Sequence, residues 1–187
     1  MDRWTAWVRI GVLAGLVGTL AGCRIGPLPP VADIGRTQLA HAAYVEGDER
    51  SVRDILATFH HADEALAKQD LDQLMTMYAQ GYKYQGLTRD SLGRIWAELF
   101  RDHDHFTSTH VFSKIVVHAD QTPPTAEVTC TGSLWANSKT TGQRVNIDSW
   151  YNEVHYLIYE DGAWRVRGHA WETPKSLRPI PWPHPFF

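Results

Sequence analysis

From Ser51 onward the apolar positions recur at helical spacing. Val52, Ile55, Leu56, Phe59 and Leu66 fall on one face, and Ser51 with Asp54 three residues on has the polar signature of a helix start. Asp70 can cap a second helix whose buried face is Leu71, Leu74, Met75 and Tyr78, with Gly81 as its end. Tyr82-Lys83-Tyr84 reads as a short strand. Thr88 or Asp90 then starts a third helix, with Leu92, Ile95, Trp96, Leu99 and Phe100 turned inward.

Beyond residue 105 the period changes from helical to alternating. The pattern predicts strands over 106–118, 125–136, 144–159 and 163–172. The breaks are Asp120-Gln121-Thr122-Pro123-Pro124, Asn137 to Gly142, and the tight Glu160-Asp161-Gly162 hairpin signal. Ala126, Val128, Cys130, Leu134 and Ala136 share one face of the second strand, and Trp164, Val166, Gly168 and Ala170 share one face of the last. The third strand breaks its own alternation. Val145 and Ile147 are apolar on odd positions, whereas Trp150, Val154, Tyr156 and Ile158 are apolar on even ones. A period of two cannot change face without an extra residue, so a β-bulge is predicted near Asp148–Ser149. On that parity His155, beside Tyr151 and Glu153, faces outward. Helices followed by an antiparallel meander make an α+β domain, with three helices packed on a curved antiparallel sheet.

The amino-terminal pattern is of another kind. Arg3 and Arg9 precede the apolar run Ile10–Leu20, and Leu20-Ala21-Gly22-Cys23 closes it. The run is about half of the ~20 apolar residues that cross a bilayer, and it has the three regions of a secretory signal. The Leu20–Cys23 segment resembles the lipobox of bacterial lipoproteins. That resemblance implies cleavage between Gly22 and Cys23, lipidation of the Cys23 thiol and stable attachment through more than one acyl chain. Arg24, in place of the aspartate that retains such proteins at the inner membrane, implies the outer membrane, facing the periplasm. The chain then divides into a signal peptide (1–22), a lipidated proline-stiffened tether (23–50, with a short helix allowed near Thr37–Val45), the folded domain (51–173) and a tail (174–187).

Charge and cysteine content narrow the picture. The sequence has a net charge of −3, and residues 1–22 hold two of its 18 basic and one of its 21 acidic residues, so the mature chain is more acidic still. No clustered positive surface suits nucleic acid. With Cys23 committed to lipid, Cys130 is the remaining thiol and an intramolecular disulfide is excluded.

Three amino-terminal helices, a bent sheet and the ending Tyr159-Glu160-Asp161-Gly162-Ala163-Trp164-Arg165-Val166 resemble the nuclear transport factor 2-like superfamily, which includes SnoaL-like cyclases, ketosteroid isomerase and scytalone dehydratase. The resemblance implies a cone-shaped domain with a pocket between the helices and the concave sheet face. Catalytic members place an acid or base there, in a largely apolar cavity, with a tyrosine or a second acid. The candidates are Asp148, His155, Tyr82, Tyr84, His110, Trp150 as an apolar neighbour, and Glu172. Asp148 has a second reading, as an acceptor for backbone amides exposed at a bulge.

His103, His105 and His110, near Asp102 and Asp104, are weaker candidates for a metal site. Their spacing lacks the paired pattern of a defined element, so no metal or other cofactor is expected. The tail carries Trp182, Phe186 and Phe187 among alternating prolines, which suits docking to a protein partner or wrapping over the chain's own domain. The preferred expectation is a lipid-anchored envelope protein, homodimeric through its sheet, that binds an apolar small molecule or a protein partner without catalysis. The alternative is an isomerase, dehydratase or cyclase using an Asp or His base.

Overall fold

The computed structural model describes residues 37–84 and 86–168. Gly22 and Cys23, Glu172 and the 174–187 tail lie outside them, and so do the readings that rest on those residues. No helix among the described residues is long and apolar enough to cross a membrane.

Short polar caps start the three helices among the described residues. The first, α1 (Glu49–Lys68), begins two residues before Ser51, because the Asp48 carboxylate accepts the Ser51 amide at 3.0 Å. Ser51 therefore contributes its N–H to the cap and not its hydroxyl. Asp70 caps α2 (Leu71–Met75) and Thr88 caps α3 (Arg89–Asp102), as the pattern predicts. Helix α2 stops at Met75 rather than at Gly81, since a strand takes the next backbone groups. Val166 N–H donates to Met77 C=O, and Ala79 N–H donates to Val166 C=O. Lys83–Tyr84 (β2) and Leu87–Thr88 (β3) form a two-stranded ribbon.

The main sheet has the order β1-β4-β5-β6-β7, where β1 is Thr37–Glu46, β4 His103–His118, β5 Thr125–Ser138, β6 Arg144–Glu160 and β7 Ala163–Val166. Four strands form an antiparallel meander, and β1 adds a parallel edge beside β4. The sheet is therefore mixed. Thr37–Glu46, expected in the tether, is part of this sheet and is not helical. Its sequence shows no alternation because little of it is buried: Leu39, Tyr44 and Val45 are exposed and only Thr37 is fully covered. Backbone pairing holds it, and backbone pairing leaves no mark on side-chain pattern.

Strand β5 keeps one parity throughout, and Ala126, Val128, Cys130, Leu134 and Ala136 are all buried. Its neighbours do not. In β6 the pairing skips Ile147 and then sets Tyr151 and Asn152 together against Thr131. The predicted single bulge at Asp148–Ser149 is thus two bulges that flank it. Asn152 takes a left-handed φ of 51°, a conformation asparagine tolerates, and the Thr131 hydroxyl accepts its amide at 3.1 Å. Two face switches restore the odd parity, so His155 and Leu157 point inward while Val154, Tyr156 and Ile158 are only half-buried. Helices α1, α2 and α3 and the inner sheet face enclose a core that includes Ile55, Phe59, Leu66, Leu74, Trp96, Phe112, Ile115 and Leu134.

Candidate active site

Residues directly opposite each other on antiparallel strands share a face. Three cross-strand rows on the inner face therefore follow from the register: Ser108–Leu134–Asp148, His110–Gly132–Trp150 and Phe112–Cys130–Glu153. The middle row depends on Gly132. A Cβ there would lie 2.0 Å from the Thr109 carbonyl oxygen and 2.5 Å from the Trp150 ring. With no side chain in between, the His110 and Trp150 rings meet across β5 with centroids 5.1 Å apart.

Helix α1 lays a carboxylate over these rows. Asp63, 4% exposed, accepts from the Thr37 hydroxyl at 2.7 Å through one oxygen and from the Ser108 hydroxyl through the other. The second oxygen lies 3.7 Å from His110 Nδ1. Sequence reasoning missed Asp63, yet a signal was present. Phe59, Ala62, Asp63 and Leu66 follow the i, i+3, i+4, i+7 spacing of a buried stripe, and a carboxylate inside such a stripe must find donors.

His110 is fully buried against Phe59, Phe112 and Trp150. Burial pushes its pKa down to about 3, and the nearby His155 and His60 act in the same direction. The ring is neutral at physiological pH, so its approach to Asp63 is a carboxylate–imidazole contact and not a salt bridge. His155, which the parity reading turned outward, is 1% exposed and faces Phe59. Its Nε2 lies 3.0 Å from the Cys130 sulfur, and Trp150 Nε1 donates to that sulfur at 3.1 Å. Burial raises the Cys130 thiol to about 12, with Glu153 adding to the rise.

Asp148 is half-buried on the same face. Desolvation raises its pKa, while the Ser149 amide, donating to its carboxylate at 2.7 Å, opposes the rise. The reading of Asp148 as an acceptor for a backbone amide matches the Ser149 contact. Glu153 is raised by burial and then by the charge of Asp148. Tyr82 is buried edge-on to Tyr78; its hydroxyl has no hydrogen-bond partner among the described residues, and burial holds its pKa above the ordinary tyrosine value. Tyr84 is half-buried on β2.

The metal triad is not assembled. His103 caps α3, His105 is exposed with φ 50° beside Asp104, and His110 faces the core. Among the described residues no group of three or more His, Cys, Asp or Glu side chains is placed to hold a metal ion.

No family model matches the chain, and no curated protein matches it. Solved structures do. A conserved protein from Planctomyces limnophilus aligns with TM-score 0.53 at 13% identity, over 65% of this chain and 91% of that one. A ketosteroid isomerase-like protein from Erwinia carotovora aligns at 0.48 and 17% identity (65% and 94%), and a protein of the NTF2-like family from Streptomyces avermitilis at 0.44 and 14% (65% and 95%). The likeness is one of fold: the chain is α+β, with helices packed on a curved mixed sheet, and it shares that fold with the Planctomyces limnophilus protein.

Proposed function

We propose that the inner sheet face is an active site for general acid–base chemistry on a small, largely apolar molecule, of the isomerase, dehydratase or cyclase class. The observation behind this reading is the convergence of Asp63 from α1, His110 from β4 and His155 from β6 in a box of Phe59, Phe112 and Trp150. The sequence suggested binding without catalysis because no acid–base set was complete. Asp63 supplies the missing member.

Neutral His110 accepts a proton from carbon next to a substrate carbonyl, and the Asp63 carboxylate stabilises the imidazolium that forms. A carboxylic acid held above its usual range, Asp148 or Glu153, returns a proton to the carbonyl oxygen or to a departing hydroxyl. The Leu20–Cys23 motif places this chemistry, in the same proposal, on a lipid-anchored envelope protein. The outer sheet face, where Tyr151 stands 77% exposed, is the surface for a homodimer, and the 174–187 tail is the segment for a protein partner.

The test is solvent exchange. The full chain is incubated in deuterated water with a panel of neutral cyclic ketones and β-hydroxy ketones, and α-proton loss is followed by NMR. Exchange by the wild-type chain, reduced at least about a hundredfold in His110→Phe, is expected. Tight binding of the same ketones without exchange returns the reading to a binding protein.

A further inference from the structure

The Cys130 thiol has no role in the chemistry above, yet it sits between two ring nitrogens. Trp150 Nε1 is 3.1 Å and His155 Nε2 is 3.0 Å from Sγ. An indole N–H only donates, so the sulfur is its acceptor. The buried thiol keeps its single proton, and that proton needs an acceptor of its own. The imidazole nitrogen in reach provides one. If Nε2 carried a proton instead, the sulfur would face two donors and the S–H would have to find its acceptor away from both rings. The consistent assignment is a chain running from the Trp150 N–H to the sulfur and from the S–H to Nε2, each bond polarising the next.

We propose that Cys130 is a positioning residue: its thiol, itself held by the Trp150 indole, donates to Nε2 of His155 and fixes His155 as the tautomer that carries its proton on Nδ1. Trp150 and His155 lie on either side of the Tyr151–Asn152 bulge in β6. The bulge brings both rings to one sulfur on β5, which an unbroken strand of period two could not do. For its consequence the assignment rests on the acid–base reading: it makes Nδ1 the donor that His155 offers to a substrate. The assignment itself does not depend on turnover.

The experiment is nitrogen NMR of the full chain labelled with 15N-histidine, with His155 assigned by the cross-peaks lost in His155→Gln. The expected spectrum shows Nδ1 in the protonated range and Nε2 in the unprotonated range. Cys130→Ala should convert this single tautomer into a mixture, and Cys130→Ser, which can still donate to Nε2, should restore it. Trp150→Phe should give a smaller drift toward the mixture. A protonated Nε2 in the wild-type chain overturns the proposal on that spectrum alone, and so does a Cys130→Ala spectrum identical to wild type. If Cys130→Ala does not fold, the wild-type and Cys130→Ser spectra still decide the assignment. Absent ketone exchange with the Nδ1–H tautomer present would sink the proposed function and leave this assignment standing.

Discussion

Strands β5 and β6 lie side by side over their whole length and contribute to the fold in different ways. Strand β5 alternates without interruption, and its inward positions, Ala126, Val128, Cys130, Leu134 and Ala136, are core. Strand β6 changes face twice, and its inward positions include Asp148, Trp150, Glu153 and His155. A regular strand can only repeat what its period dictates. A bulged strand can aim consecutive polar groups at one place, at the cost of ladder hydrogen bonds and a left-handed residue. In this chain the regular strand serves stability, and the irregular one carries the residues of the proposed chemistry.

The largest expected effect breaks the regular strand. Leu134→Ala should destabilise the domain by about 2–5 kcal/mol in denaturant titration, whereas Tyr151→Ala, on the exposed bulge, should change stability by less than about 0.5 kcal/mol. Gly132→Ala comes next. Its methyl group would strike the Thr109 carbonyl and the Trp150 ring, costing about 1–3 kcal/mol and shifting tryptophan fluorescence as that ring leaves His110. A proton linkage follows. His110 has a lowered pKa in the folded state, so the unfolded chain binds more protons between about pH 6.5 and 3, and stability falls as pH drops through that window. His110→Phe should flatten the slope by about 1.4 kcal/mol per pH unit near pH 5. The smallest effect sharpens the view of the bulge: Asn152→Ala should cost about 1 kcal/mol and Asn152→Gly almost nothing, because only the former opposes φ 51°.

The elements built on burial were legible. The apolar stripes of α1 and α3, the Asp70 and Thr88 caps and the parity of β5 all follow from side chains whose surroundings repeat. Strand β1 was not legible, because main-chain pairing holds it while Leu39, Tyr44 and Val45 face solvent. His155 was assigned to the wrong face because a second bulge at Tyr151–Asn152 cancels the first, and two compensating shifts leave little trace in the pattern. Of the candidate site, Asp148, His110, His155 and Trp150 were named from the sequence. Asp63 was hidden in the buried stripe of α1, where its partners Thr37, Ser108 and His110 come from β1 and β4 and no local pattern announces them.

The acid–base site itself is tested most directly by Asp63→Asn in the deuterium-exchange assay, which keeps the shape of the side chain and removes its charge. Exchange reduced by about a hundredfold or more, with the fold intact, is the predicted result. Exchange at the wild-type rate in the folded Asp63→Asn protein would contradict it.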